Sequence, residues 1–101
     1  MSKLASGNEA DGMVRKDLTI VNKRGLHARA SAKFVQLVGS YDATVEVEKD
    51  GMSVGGTSIM GLMMLAASPG CAIAVTARGR QAEALMAALE ELVASRFGEE
   101  A

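Results

Sequence analysis

The chain has 101 residues, a formal net charge of −1, 49% hydrophobic residues and 23% charged residues. That length suits one domain with one core and ordinary, marginal stability, and the near-zero charge gives no global field towards nucleic acid or an anionic membrane. Phe34, Tyr41 and Phe97 are too few to stack a single strand, and one histidine with one cysteine, Cys71, excludes an intrachain disulfide and argues against a metal site or cluster.

The opening stretch MSKLASGNEADG is small, polar and aperiodic, and reads as a flexible tail over residues 1–12. It has neither an apolar signal core nor a glycine at position two. No apolar run is long enough to cross a bilayer, so the expected compartment is the cytoplasm, without membrane insertion. From Met13 the pattern changes. Val14, Lys16, Leu18 and Ile20 share one parity and Arg15, Asp17 and Thr19 the other, which predicts a first strand. Asn22-Lys23-Arg24-Gly25 reads as a turn. From about Ala28 to Val38 the spacing is helical, with Ala30, Phe34, Leu37 and Val38 on one stripe and Gly39 at the stop.

Thr44-Val45-Glu46-Val47-Glu48 alternates cleanly, as in a strand with one wet face. Lys49-Asp50-Gly51 carries an Asp-Gly hairpin signal, and Met52-Ser53-Val54 is a short return strand. Thr57-Ser58 can cap a helix starting near Ile59, short and weakened by Gly61. Ser68-Pro69-Gly70 is a turn, and residues 71–76 (CAIAVT) form an apolar, central strand. Within it Cys71 is expected to be an inert, buried small residue. From Gln81 to Phe97 the i, i+3, i+4, i+7 spacing of Leu85, Ala88, Leu89, Leu92 and Val93 is the strongest helical signal in the chain. The domain is therefore expected over residues 13–97, with a short tail at 98–101.

The resulting order, βαββαβα, predicts an α+β fold in which the last strand slots between the first two. Helices cover one face of the sheet. Arg15, Asp17, Glu46 and Glu48 suit the open one.

His27 falls at the start of the first predicted helix. A helix N-terminus offers unpaired N–H groups and the positive end of the dipole, a ready site for an anion. Arg29 adds a fork of donors matched to phosphate oxygens, and Lys23, Arg24 and Lys33 add positive potential. Such surroundings disfavour imidazolium and keep a nucleophilic ring nitrogen; its attack on a phosphoryl donor would place new negative charge where it is best held. Spacing alone favours an ordinary surface histidine at a turn; the charge arrangement moves that balance towards the phosphoryl site only modestly. Ser58 has a bland reading too, as a helix cap contributing about 1 kcal/mol. Ile59-Met60 and Met63-Met64 cannot all face inward. Met60 and Met63 are expected outside, as adaptable apolar contacts for several partners, and Leu62 inside.

GLHAR ahead of a helix, with TSIMGLMML downstream at this separation, resembles the HPr family. Its members are the histidine-containing phosphocarriers of the phosphoenolpyruvate-dependent phosphotransferase system. The resemblance covers about Val14 to Val93 and includes the order of elements. It implies an open-faced β-sandwich, with a four-stranded antiparallel sheet under three helices. It implies that Enzyme I phosphorylates His27 on Nδ1 and that the phosphoryl group passes to an Enzyme IIA domain, with Arg29 stabilising it. Ser58 matches the serine phosphorylated in the family by HPr kinase/phosphorylase. That modification would set about two negative charges beside the docking surface. Ile59, Met60 and Met63 match the residues that dock donor and acceptor, with Lys33 beside them. The protein would then be a phosphotransferase component with a transient phosphohistidine rather than a stand-alone catalyst, working as a monomer without a cofactor. The alternative reading is a regulatory module whose phosphorylation state controls binding to a kinase or transcriptional regulator. One departure stands out: Ala30 replaces the proline commonest after the family arginine. The alanine form points towards the regulatory, nitrogen-related branch.

Overall fold

The computed structural model describes residues 12–99. Four strands and three helices follow in the expected order: β1 (Met13–Thr19), α1 (Ala28–Gly39), β2 (Thr44–Lys49), β3 (Met52–Gly55), α2 (Ile59–Met64), β4 (Ala72–Arg78) and α3 (Ala82–Ala94), with a closing 3₁₀ turn at Arg96–Gly98. The sheet is antiparallel throughout, in the order β1-β4-β2-β3. The last strand thus lies between the first two, where its apolar composition suits a position paired on both sides.

Register puts the alternating apolar residues on one face. Leu18 opposes Ile73, and Val47 opposes Val75 on one side and Val54 on the other. These meet Phe34 and Val38 of α1, Leu62 of α2, and Leu85, Met86, Leu89 and Val93 of α3 in one core. Arg15, Asp17 and Glu46 line the opposite, open face, where Arg15 reaches Thr76 at 3.4 Å. Lys16 breaks the alternation of β1 at the covered face because β1 is an edge strand: its ammonium passes the sheet rim to Glu90 of α3, at 3.0 Å. Asp50 and Gly51 both have positive φ, 52° and 83°, as a two-residue hairpin of this twist requires.

Gly61 in α2 has a packing role. A Cβ there would stand 2.9 Å from Cβ of Val54, so glycine lets the short helix lie close against β3. The third helix departs from expectation by stopping at Ala94, not Phe97. The Ser95 hydroxyl donates to the Leu92 carbonyl at 2.9 Å. Arg96 and Phe97 then turn into the left-handed region, with φ of 61° and 54°, and this reversal drives the Phe97 ring into the core at 1% exposure. Cys71 is half-buried, not buried, and sits 3.4 Å from the Ser68 hydroxyl, which with Lys49 holds its thiol below the ordinary value.

Of the tails expected from sequence, residues 1–11, 100 and 101 lie outside the described residues. Gly12 accepts the Gly79 N–H at 3.1 Å, and Gly98 and Glu99 are bonded to the body of the fold, as follows.

Candidate functional site: a histidine at a helix start

The turn before α1 is closed twice. Gly25 N–H donates to the Asn22 carbonyl at 3.3 Å, and the buried Asn22 amide donates back to the Gly25 carbonyl at 2.8 Å. Gly25 has φ of 66°, and the next residue anchors the loop: Leu26 N–H donates to Ala67 at 3.0 Å and its side chain is buried. His27 is therefore delivered to the N-cap of α1 by a loop fixed on both sides. Its backbone is extended (φ −75°, ψ −178°), as an N-cap requires. Its carbonyl accepts the Ser31 N–H at 2.9 Å.

The two ring nitrogens face different partners. Nδ1 accepts the backbone N–H of Arg29 at 3.3 Å, the bond by which His27 caps its own helix. Nε2 meets the carboxylate of Glu99. An acceptor at Nε2 calls for a hydrogen there, and a donor at Nδ1 calls for a lone pair, so the two contacts agree on one tautomer. Glu99 is held in turn by the Asn22 amide, 3.2 Å from its other oxygen. His27 first, then Asn22 and Arg24, hold the Glu99 carboxyl below its ordinary value against the opposing effect of burial. The His27 and Glu99 side chains are only 17% and 16% exposed.

Around this pair lies a shallow cleft lined by Lys23, Arg24, His27, Arg29, Gly98 and Glu99. Lys23, Arg24 and Arg29 are exposed, so the cleft is basic at its rim and acidic only where Glu99 touches the ring. Lys33, expected among the docking residues, is half-buried and donates to the Phe97 carbonyl at 2.6 Å. It ties the C-terminal turn to α1.

Sequence reasoning missed Glu99 and Asn22. Glu99 is 72 residues from His27 along the chain; the available signal was Phe97-Gly98, an aromatic needing burial next to a turn residue. Asn22 falls in the expected turn, where the sequence signals no role for its side chain.

Ser58 caps α2: its backbone is extended and its hydroxyl accepts the Gly61 N–H at 2.9 Å. Ile59, Met60 and Met63 are exposed by 39%, 71% and 40%, and Leu62 is fully buried. The helix packs against α1, so these apolar side chains belong to the layer that carries His27. Among the described residues no cluster of three or more metal-ligating side chains occurs, and no helix is long and apolar enough to cross a membrane.

A family model described as "PTS HPr component phosphorylation site" matches residues 14–95. The phosphocarrier protein HPr of Cupriavidus necator is 47% identical over 87 residues, covering 86% of this chain and 98% of that protein. Among solved structures, HPr-C-His from Thermoanaerobacter tengcongensis superimposes with a TM-score of 0.82 at 41% identity, covering 87% of this chain and 99% of that one. An HPr dimer from the same organism gives a TM-score of 0.68 at 43% identity, covering 81% and 94%. With the match spanning all four strands and the histidine at the helix start, the chain belongs to the HPr family of phosphotransferase-system phosphocarriers.

Proposed function

We propose that His27 accepts a phosphoryl group on Nδ1 from phosphorylated Enzyme I and delivers it to an Enzyme IIA domain. The observation that carries this reading is the Nδ1 lone pair at the positive end of α1, 3.3 Å from the Arg29 N–H, inside a basic cleft. As phosphorus approaches Nδ1, the N–H groups of the first helical turn and the Arg29 guanidinium meet the developing charge on the phosphoryl oxygens. A carrier must release each partner quickly, which suits a small docking surface. Ile59, Met60 and Met63 supply adaptable apolar contacts beside it, and Lys33 supports the site by holding the Phe97 turn. The carrier works as a cytoplasmic monomer, without metal or cofactor. Ala30 favours the nitrogen-related branch.

The test is intact mass after incubation with phosphoenolpyruvate, magnesium and an Enzyme I. A single acid-labile phosphoryl adduct, absent from His27→Ala, is the expected result. No adduct on the natural chain overturns the reading. A second, regulatory reading is favoured by the exposed Ser58 hydroxyl at the helix start next to Met60. It predicts an adduct formed with ATP and HPr kinase/phosphorylase and lost in Ser58→Ala, with binding to a kinase or transcriptional regulator altered by the modification and retained in His27→Ala.

A further inference from the structure

We propose that Glu99 and Asn22 are positioning residues that decide which nitrogen of His27 is the nucleophile. The inference rests on the carrier reading above and names the device that makes its chemistry selective. A neutral imidazole has one pyrrole-type and one pyridine-type nitrogen, and only the second has a lone pair to give. Left to itself in water, the ring populates both tautomers. Here the Glu99 carboxylate accepts from Nε2, which keeps the hydrogen on that nitrogen and leaves Nδ1 bare beside the Arg29 N–H.

The carboxylate is itself aimed. Asn22 donates to one Glu99 oxygen at 3.2 Å, leaving the other for the ring. The same amide donates to the Gly25 carbonyl at 2.8 Å, so one buried side chain joins the loop that delivers His27 to the carboxylate that orients it. From the other end, Lys33 fixes the Phe97 carbonyl at 2.6 Å, and the buried Phe97 ring fixes the backbone two residues before Glu99. A C-terminal segment anchored at three points is more than one carboxylate needs to satisfy a surface histidine.

The same contact serves the product. Attack forms the Nδ1–P bond while the bond from phosphorus to the donor breaks, and that electron pair returns to the donor. No proton moves: Nε2 keeps its hydrogen. The ring, now substituted on both nitrogens, carries the positive charge of an imidazolium, and that charge faces the Glu99 carboxylate. A buried carboxylate performs these two services, tautomer and charge, for the histidine of a hydrolytic triad. Here it serves a nucleophile instead of a general base.

The test reads the ring directly. Long-range ¹H–¹⁵N correlation spectra of the full ¹⁵N-labelled chain, with the ring neutral, should show protonated Nε2 and bare Nδ1. Glu99→Gln puts an amide donor within reach of Nε2, and Glu99→Ala removes the acceptor. Both should shift the ring nitrogens towards protonated Nδ1 while the backbone amide spectrum stays folded. Phosphoryl acceptance from Enzyme I should fall about tenfold or more, the scale on which loss of an outer carboxylate partner weakens an imidazole ligand. Asn22→Ala should move the ring signals part of the way. Unchanged ring signals in Glu99→Ala overturn the inference, whatever the rates. Failure of the natural chain to take up phosphate overturns the carrier reading and is seen separately, because the tautomer is read without any donor.

Discussion

A methyl group on Gly25 would lie 2.2 Å from the carbonyl oxygen of Ala67, the same carbonyl that accepts the Leu26 N–H at 3.0 Å. Two backbone segments meet there, so neither has a flexible side chain with which to yield. Gly25 also has φ of 66°, where a side chain is strained whatever the space. Gly25→Ala should therefore cost about 1–3 kcal/mol from the dihedral alone, with the clash in addition. Because the next two residues are Leu26 and His27, phosphoryl acceptance should fall further than stability explains. Gly39→Ala is the control: its Cβ would meet nothing within 4 Å, and its helical position gains up to about 0.5 kcal/mol. Urea denaturation of the two variants checks the pair, and equal midpoints would refute the argument.

Neighbouring residues of α2 should separate stability from docking. Leu62 is fully buried and Met60 is 71% exposed. Leu62→Ala should cost about 2–5 kcal/mol as a cavity opens under the helix. Met60→Ala should stay within about 0.5 kcal/mol of the natural chain yet slow phosphoryl transfer by raising the concentration of Enzyme I needed for half-maximal rate. Thermal denaturation and steady-state transfer, measured on both, distinguish the roles; a Met60→Ala protein with unaltered kinetics removes Met60 from the docking surface.

What could be read from the sequence follows the reach of its signals. Period-2 alternation in β2 and the apolar run of β4 announce their faces directly, and βαββαβα order leaves few ways to join four strands. His27 and Arg29 were visible because both lie within one turn of a helix start, where spacing and chemistry are local. The end of α3 was not. Val93 and Phe97 are four apart, so helical spacing continues smoothly through Phe97, and periodicity cannot tell an aromatic buried by one more helical turn from one buried by a reversal. Positive φ at Arg96 and Phe97 has no composition signal. With helical spacing continued through Phe97, Glu99 falls in the expected 98–101 tail, and its contact with His27, 72 residues away, is out of reach of local signals.

Ser58 offers a test in which cap and regulation give opposite answers. Its hydroxyl accepts the Gly61 N–H at 2.9 Å. Ser58→Ala should lose about 1 kcal/mol, while Ser58→Asp, with an equally good capping oxygen and a charge that suits a helix start, should not. If negative charge at this position weakens docking, Ser58→Asp is the folded, stable variant that nevertheless accepts phosphate slowly from Enzyme I. Calorimetry and the transfer assay on the two variants settle it. A Ser58→Asp protein as fast as the natural chain would leave Ser58 a cap and nothing more.

The Glu99 contact makes a directional prediction about acid. Its carboxyl is held below the ordinary value of 4.5, chiefly by the His27 ring, then by the Asn22 amide and the Arg24 charge. A carboxyl that binds its proton less readily in the folded chain than in the unfolded one adds stability above its unfolded value. That contribution is lost as pH falls through the lower, folded value. The natural chain should therefore exceed Glu99→Gln in urea midpoint near neutral pH, and the two curves should converge below about pH 4. Hydrogen exchange should localise the loss. The Gly98 and Glu99 amides, bonded to Ser95 and Arg96 at 3.0 and 2.9 Å, should open in acid before those of α3. The Lys33 bond to the Phe97 carbonyl has no carboxylate to titrate, so Phe97 should stay buried when Glu99 lets go. A midpoint difference that is constant across this range would mean that the carboxylate charge contributes nothing to holding the turn on His27.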